Sequence, residues 1–188
     1  MPDDAFSERG RSLEDDYFRK RDRELVEKMR RATAAEDLRK GLSATSGLHD
    51  PELVKELEAL GFTPDTVPLL PLVPVVQVAW AEGGVSDAER KLIVQLARSR
   101  GIPEGSLADK TLADWLDRKP APDVFQRRMR LVQAVLQTPL REGQLTADEL
   151  VKHAENIALA SGGIFGINKI SAEERTLLST IARDLKGR

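Results

Sequence analysis

The chain has 188 residues, of which 40% are hydrophobic and 32% are charged, and its formal net charge is −2. A chain this close to neutral has no broad positive field, so nucleic acid and anionic membranes are not expected as partners. It contains no cysteine, which excludes disulfide bonds, thiolate catalysis and thiolate metal ligands.

The first predicted element is a long helix within residues 1–41, a stretch that holds 11 acidic and 11 basic residues. From Ser7 to about Lys40 it contains no proline, and large apolar residues recur at roughly helical spacing. They form a stripe that is too narrow for the middle of a globular core. The polar, acidic start of the chain is unlike a secretory signal, and we expect a cytoplasmic protein.

Residues 42–50 are small and polar, which predicts a linker between this helix and a helical domain at residues 51–188. Asp50 and Pro51 are typical of a helix start, with Asp50 as the N-cap and Pro51 at the first helical position. The long apolar run at residues 67–81 is too short for a membrane span and contains three prolines. Its second half therefore predicts a buried core helix, and we expect no insertion into a membrane.

Three capping boxes of the form Ser/Thr-x-x-Glu predict later helix starts, at Ser86, Thr146 and Ser171. Between the first two, the pattern predicts a short helix over residues 112–117 and an amphipathic helix over residues 122–137. No segment shows the apolar–polar alternation that is typical of strands. The chain is therefore predicted to be all-α, with a compact helical bundle that follows the long charged helix.

The predicted bundle contains an internal repeat. Residues 79–101 and 158–187 share small residues, a Gly-Gly turn and a helix capped by Ser and Glu. One interpretation is structural, because small residues let two helices cross closely and the cap starts the next helix. The other is a cation held by carboxylates of the first turn, Glu82, Asp87 and Glu89. We expect no bound metal, because the turn of the second copy has no acidic residue.

The stretch AEGGVSDAERKLIVQLARSRGI at residues 81–102, which covers most of the first copy, resembles the helix–turn–helix signature of TerB-like domains, the tellurite-resistance family. The resemblance covers about residues 67–188. It implies a TerB-like bundle with two related helix–turn–helix units. It also implies a scaffold or stress-response role rather than a chemical reaction.

The N-terminal helix combines large aromatics with dense charge. Tyr17 and Phe18 are adjacent, and charged residues flank them on both sides. Aromatics surrounded by charge are typical of binding hot spots, and Phe6 could be a further anchor for a helix lying in a groove of a partner. The composition therefore indicates a protein partner for this helix, with a merely solvated charged helix as the alternative.

Residues 5–24 resemble, without gaps, the inhibitory region of the mitochondrial ATP synthase inhibitor protein. The family pattern runs from Ala-Phe-Gly to Tyr-Phe-Arg, and this chain has Ala-Phe-Ser at residues 5–7 and Tyr-Phe-Arg at residues 17–19. In that family the helix wedges into the catalytic head of the rotary F-type ATP synthase and blocks hydrolytic rotation. The resemblance implies three apolar anchors and three ion-pairing residues, namely Phe6, Tyr17 and Phe18, and Arg9, Glu14 and Arg19.

No constellation of catalytic residues is visible in the sequence. It has no nucleophile elbow, no phosphate-binding glycine motif, and two histidines that lie far apart, His49 and His153. We therefore predict a non-enzymatic regulatory or binding protein without a cofactor. Two roles stay open: a helix that docks on a partner such as the F-type ATP synthase, and a TerB-like stress or metal-response protein with a generic docking helix. The oligomeric state also stays open.

Overall fold

The computed structural model describes the backbone of residues 3–138, 145–160 and 170–186, and the side chains within those ranges from Tyr17 onward. Throughout these ranges the regular structure is helical and includes no strand, which confirms the all-α class. The chain divides into two compact units, Met1–Lys40 and Gly41–Arg188. In chain order the helices are α1 (Asp3–Ser46), α2 (Pro51–Ala59), a 3₁₀ helix (Val67–Leu72), α3 (Val73–Ala79), α4 (Asp87–Ser99), α5 (Leu107–Asp117), α6 (Pro122–Leu136), α7 (Ala147–Ala160) and α8 (Ala172–Lys186).

The first helix continues beyond the end that its charged sequence predicts. It reaches Ser46 and so includes the first part of the predicted linker at residues 42–50. Leu42 is fully buried, and Leu48 is buried just after the helix ends. Gly47 ends the helix with a φ of 80°, a conformation that glycine adopts easily. The small polar residues of this segment therefore belong to a packed structure, because the two leucines among them enter the core.

Proline shapes the entry of the chain into the core. The carboxylate of Asp50 accepts a hydrogen bond from the backbone N–H of Glu52 at 2.8 Å, and Pro51 lies in the first turn of α2, as predicted. The apolar run at residues 67–81 begins as a 3₁₀ helix that includes two prolines and becomes the α-helix α3 at Val73. A proline lacks the N–H that continuous α-helical bonding needs, which explains the tighter first part.

The central helix of the second unit is α3. It packs against α4, α6, α7 and α8, and its residues Val75 and Val76 have no exposed surface. Its contact with α7 is the most extensive of these, and the small residues Ala79 and Ala158 of the two repeat copies are both buried. Small side chains allow helices to approach closely, so the structural interpretation of the repeat applies to these two helices. The turn of the second copy, residues 161–169, lies outside the described residues.

All three predicted capping boxes are present. In each one a glutamate Oε2 accepts the backbone N–H of the capping residue at 2.8 Å. The hydroxyl of the capping residue accepts the N–H of that glutamate at 3.1–3.3 Å. The backbone N–H groups of the capping residue and of the glutamate, which have no partner within the helix, are thereby hydrogen-bonded. In this way a local sequence motif sets where a helix begins. The three pairs are Ser86 with Glu89, Thr146 with Glu149, and Ser171 with Glu174.

The start of α5 was predicted wrongly at residue 112, because its cap differs from the other three. Ser106 is the N-cap, and its hydroxyl accepts the N–H of Asp109 at 3.1 Å, so that the helix begins at Leu107. The Asp109 carboxylate accepts from the N–H of Gly105 at 2.8 Å and pairs with Arg98 of α4 at 2.7 Å. The aspartate thus joins a cap to a contact between two helices.

Two of the capping glutamates lie in opposite environments. Glu89 is only 2% exposed, and burial raises the pKa of its carboxyl above the usual 4.5, against the lowering effect of hydrogen bonds from Ser86. The nearby carboxylates of Glu174 and Glu82 raise it further. Glu149 is exposed, and hydrogen bonds from Thr146 lower its pKa. In the same motif, therefore, the surroundings of Glu89 disfavour the charged form of its carboxyl group, and those of Glu149 favour it.

Replacing these two glutamates by glutamine should change the pH dependence of stability in opposite directions. The raised folded pKa of Glu89 means that the wild type loses stability as the pH rises from about 4.5 through that pKa, and Glu89→Gln should remove this loss. The lowered pKa of Glu149 means that its carboxylate stabilises the fold above about pH 4.5, and Glu149→Gln should remove that gain. Urea unfolding at pH values below and above 4.5 measures both effects. If the two variants changed the pH dependence of the free energy of unfolding in the same direction, the opposite pKa shifts of Glu89 and Glu149 would be contradicted.

Gly41 of α1 lies against the segment that follows α2. A Cβ added at Gly41 would lie 2.7 Å from Cγ of Pro64, which is closer than two carbon atoms approach. Gly41→Ala should therefore lower the free energy of unfolding by about 1–3 kcal/mol, despite the higher helix propensity of alanine. Thermal unfolding checks this, with the same change made in a Pro64→Ala background as the control. If the loss persists in that background, the contact with Pro64 is not its cause.

Candidate docking surface on the first helix

Two adjacent aromatic residues of α1 are exposed. Tyr17 and Phe18 are 57% and 59% exposed, and their rings meet edge to face with centroids 5.8 Å apart and planes at 72°. The Nη1 of Arg21, one turn further along, donates to the hydroxyl of Tyr17 at 2.9 Å. The pair is thus held by its own helix, with most of its apolar surface in water.

Three more large apolar residues of α1 are exposed further along the helix. Leu25, Val26 and Met29 are 56%, 45% and 62% exposed. At 3.6 residues per turn, Phe18, Leu25 and Met29 fall within about 40° of one another, and we call these three residues the apolar stripe. Val26 lies beside it. Exposure of one such residue is ordinary, but several on one helix are typical of an interaction surface.

The positions beside the apolar stripe are mainly basic. Arg21 and Lys28 lie on one side, about 60–80° from Phe18, and Arg19 lies on the other side at about 100°. Asp22 is the acidic residue within the same arc. Over residues 17–31 as a whole the chain has seven basic and three acidic residues. The face therefore combines an apolar centre with a positive border.

The structure describes three of the six residues that the sequence predicts to bind a partner. Tyr17, Phe18 and Arg19 lie on exposed helix. Phe6, Arg9 and Glu14 lie in the α1 backbone, but their side chains are outside the described residues. Sequence reasoning placed the apolar residues beyond Phe18 in the helical pattern and did not assign them to the partner surface. Their spacing of seven and four residues was the available signal: Leu25 and Met29 share the face of Phe18.

The alternative cation site at the first repeat turn does not form a ligand cluster. Glu82 and Asp87 are exposed, whereas Glu89 is buried. The Oε2 of Glu89 already accepts from both the N–H and the hydroxyl of Ser86, at 2.8 and 2.7 Å. Among the described residues, no group of three or more acidic, histidine or cysteine side chains has the arrangement that could hold a metal ion.

The second unit has a cleft of about 680 Å³ that is lined by residues of α3, α6 and α8. Its charged lining includes acidic residues as well as Arg127 and Arg130. Those two arginines share Oε1 of Glu56, at 3.1 and 3.0 Å. The cleft thus has charges of both signs and does not favour either an anionic or a cationic ligand. None of the residues that the sequence predicts to bind a partner lines it.

Comparison with known proteins adds no assignment, since no family model, no curated protein and no solved structure matches the chain. The resemblances to TerB-like domains and to the ATP synthase inhibitor therefore rest on the sequence motifs alone. Within the described part of the chain, none of the helices combines the length and apolar character needed to cross a lipid bilayer.

Truncation of the apolar stripe should leave the fold almost unchanged. Leu25→Ala should alter the free energy of unfolding by less than about 0.5 kcal/mol, because the side chain is already in water. Leu150→Ala is the matched control: Leu150 of α7 has no exposed surface, and its truncation should cost about 2–5 kcal/mol. Urea unfolding followed by circular dichroism measures both. A large loss in Leu25→Ala would mean that the stripe is part of the packed fold.

Proposed function

We propose that this chain is a non-enzymatic binding protein whose first helix docks on a partner protein. The observation that supports it is the set of large apolar side chains on α1, which are 45–62% exposed on a helix otherwise made mostly of charged residues. Complete burial of a fully exposed side chain of this kind is worth about 1.5–3 kcal/mol, so each of these half-exposed side chains would contribute up to about half of that to a complex. A helix that presents several of them at helical spacing suits a groove on a folded partner.

The basic border of the apolar stripe defines the chemistry of that partner. Arg19, Arg21 and Lys28 surround the stripe, so a matching groove has an apolar floor and an acidic rim. Pairing of two copies of the chain through this stripe would bring the basic borders together in either helix orientation. Like charges at such positions oppose association, so the partner is a different protein.

The resemblance of residues 5–24 makes the catalytic head of an F-type ATP synthase the first partner to test. In that role α1 would inhibit ATP hydrolysis, with Tyr17 and Phe18 as apolar anchors and Arg19 in an ion pair. The other role considered, a TerB-like stress or metal-response protein with a generic docking helix, would use the same surface on a different partner. No described ligand cluster supports its metal-binding form.

Inhibition of ATP hydrolysis by the full-length protein tests the ATP synthase role. The purified chain should inhibit the F-type ATPase of its own source organism, and the Phe18→Ala/Leu25→Ala variant should inhibit at least about tenfold more weakly, since two buried anchors are lost. Arg21→Glu/Lys28→Glu should also weaken inhibition. Lys20→Glu/Arg31→Glu is the matched control, because it makes the same charge change on the opposite side of α1, and it should have little effect.

Absence of inhibition would exclude the ATP synthase as the partner without excluding docking itself. A photo-crosslinking residue placed at Leu25 and, as the control, at Lys20 separates the two cases. Crosslinks from position 25 to one identified protein, but not from position 20, would establish docking through the stripe. Equal labelling from both positions would show that α1 is only a solvated helix.

A further inference from the structure

Arg128 of α6 lies in an aromatic enclosure within the second unit. Its guanidinium carbon is 4.2 Å from the ring centroid of Trp115 and 5.7 Å from that of Phe62. The two rings meet edge to face at 6.1 Å, and each is at most 8% exposed. The side chain of Arg128 itself is 9% exposed. Trp115 comes from the last turn of α5 and Phe62 follows α2, so the tertiary fold assembles the enclosure.

The guanidinium of Arg128 lacks the acceptors that a buried arginine normally has. Its Nε and Nη1 are enclosed and have no hydrogen-bond partner. Other arginines of the second unit differ in this respect: Arg127 pairs with Glu56 at 3.1 Å, and Arg98 pairs with Asp109 at 2.7 Å. Burial lowers the pKa of Arg128 to about 10, so the group is still a cation at neutral pH.

The aromatic faces explain only part of this arrangement. A desolvated cation is attracted to the faces of Trp115 and Phe62, which stabilises the charge. Nε and Nη1 nevertheless have no hydrogen-bond partner, and buried donors of native proteins are almost always bonded. A buried cation with donors to spare is the arrangement expected of a site that receives its anion from outside the chain.

We propose that Arg128, Trp115 and Phe62 form a binding site for a carboxylate group supplied by a ligand or by a partner protein. The N–H groups of a guanidinium lie in its plane, and a flat carboxylate matches them there. The site lies in the second unit and does not depend on docking by α1.

Nuclear magnetic resonance of the full-length protein tests this site directly. The Nε–H signal of Arg128, assigned by its absence in Arg128→Lys, is followed during titration with acetate, succinate and a blocked aspartate residue at constant ionic strength. A hydrogen bond to a carboxylate should move this signal downfield with saturation, and the midpoint of thermal unfolding should rise over the same concentrations. Inorganic phosphate and chloride are the comparison anions.

Variants separate a binding site from a structural cation. Arg128→Met keeps an apolar chain beside the rings, and its thermal midpoint should no longer respond to carboxylates. Arg128→Lys keeps the charge but not the planar donors, and its affinity should fall at least about tenfold. Arg127→Met is the matched control, since it removes a guanidinium from the adjacent position, and it should bind as the wild type does.

The outcomes distinguish the sources of the carboxylate. A lower dissociation constant for the blocked aspartate than for acetate or succinate would identify an acidic side chain of a partner protein as the source. A lower dissociation constant for acetate or succinate would identify a free carboxylic acid as the source. The site is overturned if no carboxylate gives saturation, if phosphate alone does, or if Arg128→Met responds as the wild type does.

Discussion

The second unit depends on the burial of one short apolar segment, the 3₁₀ helix and α3. Its valines and leucines have almost no exposed surface, and the amphipathic helices α4, α5, α6, α7 and α8 pack against it. Each of those helices has one apolar face, and that face can leave water only by packing on this segment or on another helix around it. The two prolines at the start of the segment set where α-helical bonding begins, and so place α3 at the centre.

Around this core, local motifs and tertiary environment make separate contributions. The three Ser/Thr-x-x-Glu boxes have nearly identical hydrogen bonds, so helix starts follow from short-range geometry alone. The electrostatic character of each box depends on what packs against it. Glu89 is enclosed beside other carboxylates, whereas Glu149 lies in water. Asp109 shows a third outcome, since its carboxylate both supports a cap and pairs with Arg98 of another helix.

The two units divide structure and proposed function between them. The second unit buries most of the large apolar side chains that the structure describes there, although Leu92, Leu107 and Leu159 are 37–52% exposed. In the first unit Phe18, Leu25 and Met29 remain in water between basic residues. Apolar surface that the fold leaves exposed in this pattern is available for association, and its charged border favours a partner with an acidic rim. Arg128 is a second candidate for an interaction, because its Nε and Nη1 have no hydrogen-bond partner within the chain.

The sequence by itself determined the all-α class, the helix starts at the three Ser/Thr-x-x-Glu boxes and the charged first helix with its exposed aromatics, because helical periodicity and capping act over a few residues. It also indicated Tyr17, Phe18 and Arg19 as the proposed docking residues, while the proposal for Leu25 and Met29 needed their exposure in the structure. Only the tertiary structure decided that α1 extends to Ser46, that Glu89 is buried, and that Phe62, Trp115 and Arg128 meet. Those features join residues far apart in the chain, and their burial depends on which helices pack together, which no local pattern contains.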